Sequence, residues 1–338
     1  MSEKLHKKRL FNIDGNDDES NQKIINGNST GICNLNNIKY KWVPQLYSKM
    51  LGNFWIPEKI SMTKDKITIN ELTTHEDEAV KNTLSFLIFL DSIQVNNLPN
   101  IQEYITDPAV NNLLTIQQFQ EVIHSQSYQY ILESLYPNFE REAIYNKWRD
   151  NDLLKQRNSF VANQYEAFTD APDSESFKDV LLANFCLEGV YFYSGFNLFD
   201  QLASRKKLLQ TSKMIDYIRR DENTHVALFR NIMKEVMNVK KEENRIYGVF
   251  EKAANQEIEW AQSNYGDNIM GISSDSSVNH IKWLVNSRLK AIGLGSLYEG
   301  FDVNPYKHLE EGDSRENFFE TSVTSYDRSE SIGGWEDF

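Results

Sequence analysis

The sequence predicts an all-α protein, a bundle of long helices joined by short connections. Proline occurs only seven times, and none lies between Asp173 and Asn304. Because proline lacks a backbone N–H and clashes with the preceding turn, long stretches without it favour uninterrupted helix. Apolar residues recur three and four apart through these stretches, and no series of alternating β-branched runs is present to build a sheet.

Residues 1–36 are rich in Asn, Asp, Gly, Ser and Lys without a sustained period, which predicts a flexible N-terminal arm. A helical domain over 37–308 follows. Its periodic segments predict helices over about 66–96, 109–135, 152–170, 174–202, 211–238, 241–265 and 277–293. The breaks carry their own punctuation. Asn96-Asn97-Leu98-Pro99 closes the first helix, Tyr136-Pro137-Asn138 the second, and Asp170-Ala171-Pro172-Asp173 the third, with Asp173 placed to cap the next. Segments this long exceed the usual globular helix and favour a long-helix bundle. Residues 309–338 read as a flexible acidic tail. A pure spacer has no need of Phe318, Phe319, Tyr326, Trp335 and Phe338, so the tail is expected to dock on a partner.

The chain of 338 residues carries 36 basic and 49 acidic side chains, a net charge of −13, which argues against a general grip on nucleic acid. The apolar run Leu84–Leu90 ends at Asp91 and is far shorter than the roughly 20 residues of a membrane span. No apolar core follows the basic N-terminus, so no secretory signal is read there. Cys33 and Cys186 are too few for a disulfide framework. These features predict a cytoplasmic protein.

Two segments in predicted helices place Glu three residues before His: Glu121 with His124, and Glu222 with His225. At about 100° per residue, positions i and i+3 share one helix face, so carboxylate and imidazole can reach the same ion. Asp91 ends an apolar run on the helix before the first pair, and Glu188 lies in FCLEGVYFY before the second. The order is thus carboxylate helix, Glu-x-x-His helix, carboxylate helix, Glu-x-x-His helix. Acids in such apolar surroundings are costly to bury unless paired or metal-bound. Four carboxylates and two imidazoles projecting into a four-helix core form the ligand set of ferritin-like di-iron and di-manganese proteins. The oxygen-rich donors suit iron or manganese, and no cysteine cluster is present for a zinc thiolate site. Tyr128 shares the arc of Glu121 and His124, which brings its phenol beside the metals. Phe192, Phe196 and Ile218 fall at helical spacing from Glu188 and Glu222 and could wall that phenol from water.

These motifs resemble the radical-generating small subunit of class I ribonucleotide reductase. The resemblance runs from about Tyr40 to Asn304 through FWIPEKI, FLDSIQ, EVIHSQSY, LEGVYFYSGF and RRDENTH. It implies that Asp91, Glu121 and His124 bind one metal and Glu188, Glu222 and His225 the other, with glutamate bridging. The pair would be two iron ions, oxo- or hydroxo-bridged, or alternatively two manganese ions, activated by oxygen or by a reduced-oxygen species from a flavodoxin-like activator. Tyr128 would hold a stable radical in the pocket of Phe192, Phe196 and Ile218. Trp55 and Asp221 match the residues linking His124 to the surface. Tyr326 and Glu320 match the tail residues that pass the radical to a large subunit, where ribonucleotides are reduced, and GGWEDF matches the docking peptide. A homodimer is also implied. The alternatives are a related ligand-binding oxidase and a ferritin-like metal-binding protein. Asp91 and the aromatic tail count against the first, and Trp55, Asp221 and Tyr326 have no use in the second.

Overall fold

The computed structural model describes residues 3–307 and 309; Glu320, Tyr326 and the GGWEDF peptide lie outside the described residues. In chain order the helices are α1 (Val43–Gly52), α2 (Asp65–Thr68), α3 (Thr74–Gln102), α4 (Pro108–Leu135), α5 (Asn138–Asp150), α6 (Asp152–Asp170), α7 (Ser174–Cys186), α8 (Phe192–Ser204), α9 (Leu209–Val236), α10 (Glu243–Asn264) and α11 (Ser274–Ala291). A π turn, Leu187–Tyr191, joins α7 to α8. Among the described residues there is no strand, only isolated bridges such as Lys4 with Asp173.

Side-chain caps set the starts of α3, α4, α6, α7 and α11. Asp107 accepts hydrogen bonds from the amides of Ala109 and Val110 while Pro108 takes the first helical position, where its missing N–H costs nothing. Thr73 with Glu76 and Asp173 with Ser176 form reciprocal caps at α3 and α7. The capping box at Thr73 starts the first long helix later than the periodicity predicts. That helix also continues through Pro99 to Gln102. Proline leaves the carbonyl four residues back without its helical donor; here the Val95 carbonyl accepts instead from Gln118 Nε2 of α4 at 3.3 Å, which replaces that donor.

The expected helix over 174–202 is instead two helices around the π turn. Helices α1 and α5 were not signalled by the periodicity. α5 buries Ile144 alone, so it has almost no apolar stripe to read. The first residues have no helix, in keeping with their composition, yet they lie against the body. Leu5 and Ile24 are buried, the Thr106 amide donates to the Ile24 carbonyl at 2.7 Å, and the Lys8 amide to the Glu103 carbonyl at 2.7 Å.

The core forms where α3 packs on α4, α4 on α9, and α7 and α8 on α9, with α8 also meeting α3. Leu84, Phe86, Leu87 and Leu90 of α3, Leu113 and Leu114 of α4, and Phe229 and Ile232 of α9 are wholly buried there. Each such side chain contributes about 1.5–3 kcal/mol, which offsets the cost of enclosing polar groups in the same core. Arg157 of α6 and Glu257 of α10 form a buried ion pair, Nε to Oε1 at 2.5 Å, with the guanidinium 3.3 Å above the Phe86 ring centroid.

Candidate metal centre

Each of the four bundle helices delivers acids to one enclosed point. Asp91, Glu121, His124 and Glu222 offer ligand atoms within 4.8 Å of one another, and so do Glu121, Glu188, Glu222 and His225. All six residues are fully buried. Glu121 and Glu222 belong to both groups, and their two oxygens diverge. Glu222 Oε1 lies 3.2 Å from His124 Nδ1 and its Oε2 2.8 Å from His225 Nδ1. Glu121 Oε2 lies 3.2 Å from His124 Nδ1 and its Oε1 3.3 Å from His225 Nδ1. Two carboxylates that each face both imidazoles have the arrangement of bridging ligands.

The far side of each imidazole fixes its tautomer. His124 Nε2 donates to Asp221 Oδ2 at 3.3 Å, and the same oxygen accepts the Trp55 indole N–H at 2.9 Å. A carboxylate can only accept, so Nε2 carries a proton, which leaves Nδ1, on the side of the acids, as the nitrogen a metal ion would take. His225 Nε2 lies 3.0 Å from Gln120 Oε1, whose amide nitrogen is committed to the Met50 carbonyl at 3.3 Å. Gln120 therefore does for His225 what Asp221 does for His124.

Glu188 is steadied from α3 and α4. Gln94 Nε2 donates to Glu188 Oε1, as does Gln117 Nε2 at 2.7 Å, and Tyr165 Oη donates to Gln94 Oε1 at 2.6 Å. Gln94, Gln117 and Gln120 were not singled out in the sequence. Their spacing was readable, because Gln117 precedes Glu121 and Gln120 precedes His124 by one helical turn, but nothing local shows that an amide turns inward.

The donor set fits two divalent cations. Both oxygens of Asp91, Glu188 Oε2 and Glu222 Oε1 are buried without a hydrogen-bond donor. Among the described residues, no lysine or arginine ion-pairs with Asp91, Glu121, Glu188 or Glu222. Four uncompensated carboxylates in a dry core are untenable, and two divalent ions supply the matching charge. Without them protons substitute. Burial pushes the Asp91 and Glu188 carboxyls well above the usual range. Burial opposes charge on His124 and His225, but the surrounding acids hold both well above the ordinary imidazole range. For Glu222 burial is outweighed by His225, Glu188 and His124, which hold it below the usual carboxylate range.

Tyr128 is fully buried, with Asp91 the foremost of the acids beside its hydroxyl. Burial, then the charge of Asp91, pushes its ionisation well above the usual phenol range, so it stays protonated. Phe192, Phe196 and Ile218 are buried in the same contiguous core, the two phenyl rings stacked at 5.9 Å and 6°. Trp55 is buried with its ring centroid 6.5 Å from that of His124 and 5.2 Å from that of Tyr217.

Comparison with known proteins decides the family. The family described as "Ribonucleotide reductase, small chain" matches residues 32–305. The chain belongs to this family. A ribonucleoside-diphosphate reductase subunit beta from Treponema pallidum is 38% identical, with 97% of each chain covered. A counterpart from Halalkalibacterium halodurans is 34% identical with 99% of each covered. The ribonucleotide reductase R2 subunit from Clostridium botulinum superposes with a TM-score of 0.87 at 40% identity, covering 91% of this chain and 99% of that one. A dimanganese(II) protein from Streptococcus sanguinis shares the fold at a TM-score of 0.72 and 21% identity. Membership establishes the all-helical, ferritin-like small chain of class I ribonucleotide reductase and sets aside a simple metal store. No described helix of this small chain is long and apolar enough to cross a membrane.

Proposed function

We propose that this small chain generates and stores the radical that starts ribonucleoside-diphosphate reduction, with Tyr128 as its seat. The observation that carries the reading is a fully buried phenol set beside Asp91 of a six-residue ligand cluster in which no lysine or arginine offsets the four carboxylates. Asp91, Glu121 and His124 hold one ion and Glu188, Glu222 and His225 the other, Glu121 and Glu222 reaching both. Two iron ions are the proposed pair, with two manganese ions as the alternative that the same donors accept, using a flavodoxin-like activator. When bound, the pair would supply the oxidising power that takes an electron from Tyr128, whose hydroxyl proton would leave with it.

The chain's own residues do the rest. Phe192, Phe196 and Ile218 exclude water from the phenol, so an oxidised ring is not quenched. Asp221 joins His124 to the Trp55 indole through a single oxygen, and this contact sets the exit from the buried centre. Arg220 donates to the Asn53 carbonyl, which ties the loop before Trp55 to α9. Tyr326 and Glu320 carry the radical onward to a large catalytic subunit that binds the GGWEDF peptide. A homodimer is proposed as well, supported by the exposed apolar strip of Leu51, Phe54, Phe119 and Val122, where Phe54 and Phe119 stack at 6.2 Å. The cytoplasm is the proposed location.

The test is low-temperature electron paramagnetic resonance after anaerobic ferrous loading and exposure to oxygen, with bound metal quantified in the same sample. A tyrosyl signal is expected beside two irons per chain, and Tyr128→Phe should keep the irons and lose the signal. An unchanged signal in Tyr128→Phe refutes the assignment of the radical to this residue.

A further inference from the structure

Neither glutamate of the second ion is held completely by side chains, since Glu188 Oε2 and Glu222 Oε1 have no donor. Where these carboxylates point is therefore decided largely by the backbone that projects them. For Glu188 that backbone is the π turn Leu187–Tyr191. A π turn shifts the hydrogen-bond register of a helix and is held only where the surroundings support it.

We propose that Arg288 of α11 is a positioning residue for the second metal, fixing the π turn that presents Glu188 and bracing the α9 segment that presents Glu222. The proposal rests on the dinuclear reading above and deepens it. Arg288 Nε donates to the Gly189 carbonyl at 2.9 Å, one residue after Glu188. Its guanidinium carbon lies 4.6 Å from the centroid of the Tyr193 ring, just beyond the turn. The Tyr193 hydroxyl donates to Asn223 Oδ1 at 2.6 Å, one residue after Glu222. One side chain outside the bundle thus touches the backbone beside the first glutamate and, through a single ring, the residue beside the second.

Gly189 makes room for this contact. A Cβ at that position would stand 2.9 Å from Arg288 Nε and 3.1 Å from its Cδ. Its φ is not in the left-handed region, so the requirement is for space and not for glycine's freedom. Helix α11 packs on the π turn, α8 and α10, whereas Asp91 and His124 project from α3 and α4. Loss of Arg288 should then disturb the second ion, with Glu188 and His225, more than the first.

The test titrates metal-free wild type, Arg288→Ala, Arg288→Lys and Gly189→Ala with Mn(II), reading free and bound ion by electron paramagnetic resonance and folding by thermal melting. Wild type is expected to bind two ions with a coupled spectrum. Arg288→Ala and Gly189→Ala should keep one tight ion with a mononuclear six-line spectrum and weaken the second by about 10- to 100-fold, the usual effect of removing a group that orients a ligand. Arg288→Lys, which keeps a cationic donor for the Gly189 carbonyl, should recover part of that loss. Unchanged second-site affinity in Gly189→Ala, or equal weakening of both ions in Arg288→Ala, overturns the proposal. If Arg288→Ala fails to fold, Gly189→Ala and Arg288→Lys decide it alone. A wild-type protein that takes up fewer than two ions overturns the dinuclear reading instead, so the two failures are distinct.

Discussion

Loading the two metals should expel protons, and the number follows from the metal-free cluster. Burial holds the Asp91 and Glu188 carboxyls protonated above their usual range. Against the opposing effect of burial, neighbouring acids hold His124 and His225 in the charged form. Metal ions bind carboxylate and neutral imidazole, so loading displaces up to about four protons per chain, one from each of these groups. Each proton released makes binding about tenfold tighter per pH unit, or about 1.4 kcal/mol. Anaerobic calorimetry with Mn(II), repeated at one pH in buffers of different ionisation heat, counts the protons directly. Asp91→Asn should release about one fewer. Release of less than about one proton, or an affinity that does not change with pH, would refute the argument that protons balance the empty cluster. The same shifts fix the sign for folding. Groups with raised values stabilise the metal-free fold below their unfolded values, and that stability is lost as pH rises through the folded ones. Glu222, held low, works in the opposite sense, its contribution being lost as pH falls through its folded value. The metal-free protein should therefore melt at lower temperature at alkaline pH than at neutral pH, and metal should reverse the trend.

Trp55→Phe and Tyr326→Phe should each leave the tyrosyl signal intact and stop nucleotide reduction when assayed with the large subunit; normal turnover in either would remove that residue from the transfer route. Glu257→Leu leaves the Arg157 guanidinium buried without its partner and should lower stability in urea by about 3–5 kcal/mol. Adding Arg157→Met should restore most of that loss, because an apolar pair of similar volume is close to neutral there. A peptide copying the last residues, GGWEDF, should displace the small chain from the large subunit in a pull-down, and absence of competition would separate the tail from docking.

Much of the fold was legible because the long helices are strongly periodic and capped. The helices 152–170 and 109–135 were placed within a residue of their observed bounds. The misplacements have tertiary causes. Pro99 signals a helix end in any local reading, and only Gln118, on another helix, relieves it. α5 lacks a stripe because it covers α3 and α6 with one buried residue, Ile144. The candidate ligand cluster was legible for a different reason. A carboxylate inside an apolar run is a local contradiction, and Asp91 and Glu188 each break such a run. The paired spacing of Glu121 with His124 and Glu222 with His225 then turned two contradictions into one pattern.

The glutamines and the arginine carry no such contradiction. Gln94, Gln117 and Gln120 are ordinary helix residues, and their role depends on which way an uncharged amide turns across the bundle. The π turn is further from the sequence still. LEGVYFYSGF reads as continuous helix because one extra residue in the turn alters the period by less than a short apolar stretch can reveal. Yet that added residue carries Glu188 into reach of His225, at 3.5 Å from Oε2 to Nδ1. Local preference and ligand placement conflict here, and the turn is met by Arg288 of α11 on the Gly189 carbonyl and by Gln94 and Gln117, from α3 and α4, on the carboxylate. A departure from regular helix that needs three distant side chains to support it marks the place where the fold yields to the metal centre.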